Sequence, residues 1–223
     1  MTTVSEAVAR RSSIRAFLPD PVPTPLLAGI LRRAARAPSG GNLQPWHVWL
    51  LNGPAMARFR AMMAPRIAEG ITDPPEYAVY PERLGEPYRS RRFAVGEAMY
   101  ALLGIPREDR AARRRWFARN WDFFGAPAAA FVFVDRGMGP PQWSDLGGYL
   151  QTVMLLAVEA GLATCPQEAW YLHHRAVRRF LGAPQELMLF CGVAIGHPDP
   201  DAAVNRLHSD RAPEAEWLRV VED

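Results

Sequence analysis

Two stretches concentrate the residue types that do chemistry. Arg11-Ser12-Ser13-Ile14-Arg15-Ala16-Phe17 packs two guanidinium groups and two hydroxyls into five positions. Charged forks and small donors of that kind converge on the oxygens of a phosphate, although a basic surface turn accounts for this stretch equally well when it is read alone. The second stretch, Ala37 to His47, sets Pro38, Ser39, Gly40, Gly41, Asn42, Gln44 and Pro45 between a helix-like segment and an apolar, strand-like run. Proline and glycine fix an irregular backbone there, and the amides can hydrogen-bond something flat and polar held against it. A helix-to-strand connection needs far less chemistry than this, so the loop is expected to hold a cofactor. A third segment, Asn205 to Arg211 with its arginines and His208, is basic and lies near the C-terminus.

Several other chemistries are excluded or poorly supported. All 26 basic residues are arginine, which rules out a P-loop lysine, a Schiff base and a covalent pyridoxal phosphate site. The five histidines form no HxxxH or HxxE pair, and Cys165 and Cys191 sit in no ligand pattern, so no metal site is expected. No GxSxG and no GxGxxG after a strand occurs, which argues against a serine hydrolase elbow and a Rossmann site. The net charge is only +3 and the arginines are spread along the chain, so nucleic acid is not an expected partner. No apolar run approaches bilayer length, and Arg10-Arg11 is followed by Pro19-Asp20-Pro21 rather than the apolar core of an export signal. Two cysteines make no disulfide framework, so a cytoplasmic, reducing setting fits best.

The elements that must position these residues follow from periodicity. Residues 4–10 read as a short helix. Thr24 is expected to N-cap a helix with Pro25 at its first position, running into the loop at Pro38. A strand at 47–51 precedes a helix over 54–69. Stretch 70–87 is rich in Pro, Tyr and Asp and reads as a lid or binding loop. Helices are expected at 91–104 and 107–120, and an apolar strand at 128–134. Residues 135–142 read as loop before a largely apolar helix opening at Asp145 and ended by Gly161. Residues 164–170 read as a strand or strand-edge loop, 174–181 as a short helix, and 187–195 as a second buried strand. With 223 residues and no repeat or linker, residues 1–223 are read as one domain.

A ligand with a phosphate at one end and a flat hydrogen-bonding ring at the other would use all three clusters, and flavin mononucleotide (FMN) has that form. Arg11 to Phe17 and Pro38 to Trp46, in that order and spacing, closely resemble the FMN-dependent nitroreductase family. So do Gly161-Leu162-Ala163-Thr164 and Asn205 to Pro213, and within the family the chain looks most like the nitrobenzoate-reducing subgroup. The resemblance implies an α+β fold, a three-layer α/β/α sandwich around a central mixed sheet. It also implies a homodimer with FMN at the subunit interface and a domain-swapped C-terminal arm.

Carried over by residue, the resemblance places Arg11, Ser12 and Ser13 at the phosphate and ribityl end. Arg15 falls at the N1/O2 edge of the ring, where many relatives carry lysine. Pro38, Ser39 and Gly40 would line the partner's ring, with Asn42 and Gln44 contacting ring or loop. Pro166, Gln167 and Glu168 would present backbone to the flavin, one N–H reaching N5, and Arg211, with His208, would close on the phosphate. The implied reaction is ping-pong, with hydride passing from NAD(P)H to the flavin and electrons then passing to a nitroaromatic, quinone or similar small acceptor. No protein acid or base is assigned. Ring dehydrogenation, reductive dehalogenation, flavin fragmentation and non-catalytic flavin binding are the alternatives on the same scaffold. Tyr88, Phe123 and Phe124 are read either as substrate-facing residues or as core packing.

Overall fold

The computed structural model describes residues 2–222. Four strands form the sheet, β1 (His47–Asn52), β2 (Ala128–Asp135), β3 (Ala163–Gln167) and β4 (Leu187–Gly196), in the order β1-β2-β4-β3. Every pairing between them is antiparallel. The expected mixed character is confined to one parallel bridge, Ser13 to Thr164, at the β3 edge. The two continuous apolar runs, β2 and β4, occupy the centre, where both faces of a strand are covered.

Period-two alternation sends Ala128, Ala130, Val132 and Val134 to one face and Ala129, Phe131 and Phe133 to the other. The first face packs against α2 (Thr24–Ala34) and α6 (Pro140–Glu159) through Leu27, Ile30, Leu146, Tyr149 and Val153. The second packs against α3 (Pro54–Ala68) and α7 (His174–Leu181), with Phe59, Met63, Trp170 and Val177 in its core. The result is helix, sheet, helix. A bulge between Val132 and Phe133 leaves Phe190 of β4 unpaired. Met188 therefore shares the α6-facing core with Cys191 and Val193, although their parity differs.

Several element boundaries differ from expectation. Thr24 is the first helical residue and Pro23 the cap, because the Thr24 hydroxyl accepts instead from Asn52 Nδ2 (3.0 Å). The α2 helix ends at Ala34, and the last turn tightens through i→i−3 bonds to Ala37 rather than running to Pro38. The long helix α6 begins at Pro140, not Asp145; Pro140 and Pro141 sit where a helix has no partner for their missing N–H. The remaining helices are α1 (Val4–Arg10), α4 (Tyr88–Leu102), α5 (Arg110–Ala118) and α8 (Glu214–Trp217). Neither α4 nor α5 has a buried residue. Phe123 and Phe124 are core, 0% and 2% exposed, although both adopt positive φ. Tyr88 is exposed.

Candidate active site

After α1 the chain runs extended along the sheet edge. Ile14 N–H donates to Thr164 O (3.0 Å) and Leu18 N–H to His197 O (2.9 Å). Ile14 and Phe17 are buried by that pairing, while Arg11, Ser12, Ser13 and Arg15 line a cavity of about 300 Å³. Its opposite wall is Leu207, His208, Ser209 and Arg211. Among the described residues, segments from near both ends of the chain thus converge on one cavity that holds three arginines, one histidine, three serines and no carboxylate.

Among the described residues the Arg15 guanidinium donates only to Ser13 O (3.2 Å), and that of Arg211 to Ser209 O and Oγ (both 2.8 Å) and Asp210 O (3.0 Å). Among the described residues none of the cavity's three guanidinium groups forms an ion pair. Uncompensated positive charge beside small hydroxyl donors fits a phosphate. Ser209 was not anticipated, and its spacing two residues before Arg211 is the signal that would have found it.

The Pro38–Gln44 loop is pinned to α6 at both ends. Gly40 N–H donates to the Asp145 carboxylate (3.2 and 3.3 Å), and Trp46 stacks on Tyr149 at 5.1 Å. Asp145 and Tyr149 are one helical turn apart, so they present one face to the loop. The Tyr149 hydroxyl, pushed up to about 12 by burial, donates to Leu31 O (3.2 Å) and ties α2 to the same helix. Inside the loop Ser39 Oγ accepts from Gln44 N–H (2.9 Å) and Gln44 Nε2 donates to Asn42 O (3.4 Å). Gly41, Asn42 and Gln44 all have positive φ, a region that asparagine tolerates and glycine occupies freely. Ser39 and Gln44 therefore shape the loop, and its exposed backbone and Asn42 face outward.

At the end of β3, Gln167 is 2% exposed. Its Nε2 donates to Asn120 O (2.7 Å) and Asn120 Oδ1 (3.2 Å), and Trp170 Nε1 reaches its Oε1 at 3.5 Å. The side chain is an anchor, which leaves backbone as what this segment can offer a ligand. Pro166 is half-buried and Glu168 is exposed at the start of the following turn; surrounding protein lifts the Glu168 carboxyl above the usual range. Burial pushes the Cys165 thiol up to about 11, and Arg15, which follows the Ile14 that pairs with Thr164 of β3, opposes that shift.

The loop and the N-terminal basic segment meet α6 at different points, the loop at Asp145. Arg10 and Ser12 lie beside Val158 and Gly161 at the far end of α6. From Asp145 to Val158 the helix rises by roughly 20 Å at ~1.5 Å per residue. The described residues hold no group of three or more His, Cys, Asp or Glu side chains arranged for a metal ion.

The Nitroreductase family model matches residues 8–197. The chain belongs to the nitroreductase family. It is 36% identical over 204 residues to a 4-nitrobenzoate reductase of Pseudomonas putida, covering 92% of this chain and 89% of that one. An FMN and NADPH-dependent nitroreductase, NfnB, from Sphigopyxis sp. strain HMH superposes with TM-score 0.94 at 48% identity, covering 99% of this chain and 100% of the other. An FMN-dependent NfnB from Mycobacterium smegmatis, solved with NADPH, superposes with TM-score 0.91 at 30% identity, covering 99% and 100%. The expected α+β nitroreductase fold is thereby established for this chain.

Proposed function

We propose that this nitroreductase holds FMN and uses it to pass electrons from NADPH to the nitro group of an aromatic substrate. The observation that carries the reading is the cavity with three unpaired arginines and no carboxylate, built from residues 11–15 and 207–211. FMN supplies the redox chemistry when bound, alternately accepting a hydride and giving up two electrons. Arg11, Ser12, Ser13 and Arg211, with His208, hold the phosphate end. Arg15 sets a fixed positive charge beside β3, where it favours negative charge on the ring edge. The backbone of Pro166 to Glu168 supplies directional hydrogen bonding while the buried Gln167 side chain holds it in place. NADPH as donor and a nitrobenzoate-like acceptor are read from the relatives named above.

The complete site is a homodimer's. The loop at Pro38, Ser39, Gly40, Asn42 and Gln44 meets α6 at Asp145, far along the helix from the N-terminal basic segment, and serves the partner's ring. The α4 helix without a buried residue, and the exposed Trp217, Leu218, Val220 and Val221 of the C-terminal arm, supply the apolar surface that such an assembly covers. Residues 1–223 form one domain on this reading, and two free, buried cysteines suit a reducing cytoplasm. No helix of the described residues is long and apolar enough to cross a membrane.

The test is steady-state turnover of FMN-loaded protein with NADPH or NADH against 4-nitrobenzoate, nitrobenzene, quinones and enones. The reading expects NADPH-dependent loss of the nitro compound with reduced nitrogen products. Bound FMN that NADPH does not reduce would leave a flavin carrier, and reduction with no turnover of any nitro compound would move the activity to another acceptor.

A further inference from the structure

The two walls of the basic cavity are far apart in sequence, and one side chain joins them. Asn205 lies in the short turn Ala203–Arg206, immediately before the wall that carries His208 and Arg211. Its Oδ1 accepts the backbone N–H groups of Arg15 (2.8 Å) and Ala16 (3.2 Å). Its Nδ2 donates to Ala16 O (2.8 Å) and Asp199 O (2.9 Å). Both amide donors and the amide oxygen are thus spent on backbone, and none is left for a ligand. The main chain at Arg15 gains its fixed position from a residue 190 positions away, and the arginine's side chain leaves the backbone at that clamped point.

We infer that Asn205 is a positioning residue of the flavin site: it sets the Arg15 guanidinium and the 207–211 wall in one frame, so that both ends of the cofactor meet preset charge. The inference rests on reading the cavity as the FMN phosphate site. It goes beyond that reading by assigning the electrostatics at the ring to a residue that touches no cofactor. A residue that merely stapled the C-terminal segment down would govern stability alone, whereas a positioning residue also governs the flavin through Arg15.

The experiment uses the full-length protein with Asn205→Ala and Asn205→Asp, each alone and combined with Arg15→Gln. Aspartate keeps the shape and the acceptor but turns a second oxygen toward Ala16 O and Asp199 O, so it breaks only half of the clamp. The measurements are FMN dissociation constant, midpoint potential of the bound flavin and melting temperature of the apoprotein. The expected result is FMN binding weakened about tenfold or more in Asn205→Ala, together with a more negative flavin potential. In the Arg15→Gln background the same substitution should leave the potential unchanged, because coupled residues are not additive. An unchanged potential, or a shift that persists in full without Arg15, overturns the inference even if the melting temperature falls. If Asn205→Ala does not fold, the aspartate variant decides through its cycle with Arg15→Gln: its added charge shifts the potential in both backgrounds, positioning predicts a larger shift where Arg15 is present, and equal shifts overturn it. Failure of the wild-type chain to bind FMN at all removes the reading and the inference together, and is distinguished at the first titration.

Discussion

Arg211→Ala tests the phosphate assignment through a comparison of two ligands. Arg211 is held by Ser209 and Asp210 oxygens on the cavity wall and faces Arg11, Ser12, Ser13 and Arg15 across it. Among the described residues it has no carboxylate partner to leave stranded, so the substitution removes a charge without burying an orphan. A hydrogen bond to a charged group contributes about 1.5–3 kcal/mol, which is roughly 10- to 150-fold in dissociation constant at about 1.4 kcal/mol per tenfold. Arg211 is exposed in the single chain, so solvent screening favours the lower end of that range. Riboflavin carries the same ring without the phosphate. Titrations of apoprotein with each ligand, followed by quenching of flavin fluorescence, should show FMN weakened about tenfold or more and riboflavin changed less than about twofold. The salt dependence of FMN binding should also become shallower in the variant. Equal loss for FMN and riboflavin, or no loss for either, would refute the assignment of this cavity to a phosphate.

Two further substitutions test the supports behind the site. His173 is 1% exposed, has no hydrogen-bond partner at either ring nitrogen, and meets Trp121 edge-on at 4.5 Å; burial and Arg66 lower its pKa from 6.5 to about 4. The unfolded chain therefore takes up a proton that the folded one refuses between those values. Stability contributed by the neutral ring is complete above pH 6.5 and falls below it, by at most about 1.4 kcal/mol per pH unit. Urea unfolding of His173→Phe should lack that component of the acid slope; parallel slopes for variant and wild type would refute it. Gly192→Ala would place a Cβ 2.3 Å from Trp170 Cδ1 and 2.7 Å from its Nε1, in a core where the indole is fully buried. The expected cost is about 1–3 kcal/mol or more, with recovery in Gly192→Ala/Trp170→Phe, and full stability of the single variant would contradict it.

How much of this was legible in the sequence depends on whether the signal was local. The strands β2 and β4, the helix α6 and the irregular Pro38–Gln44 loop announce themselves by composition and periodicity alone. The clustering of Arg11, Ser12, Ser13 and Arg15 is equally visible, whereas only the fold sets Arg211 across a cavity from them. Thr24 shows the limit of capping rules: its hydroxyl is claimed by Asn52, a partner 28 residues away. Residues 135–142 read as loop in sequence, yet Pro140 and Pro141 occupy the first turn of α6, which accepts proline. The bulge at Phe190, the positive φ of Phe123 and Phe124, and the burial of Gln167 against Asn120 are long-range outcomes of packing. No window of sequence contains both partners. The same is true of the two points on α6 that the loop and the N-terminal segment meet, Asp145 and Val158.

The most direct measurement is a crystal structure of the full chain grown with FMN. The expected structure is a dimer with the phosphate among Arg11, Ser13 and Arg211, Arg15 at the ring's N1/O2 edge, backbone of Pro166 to Glu168 at the flavin's N5, and Pro38 to Gly40 of the other copy against the ring. A flavin held by one copy alone, or a phosphate placed away from the cavity between residues 11–15 and 207–211, would contradict it.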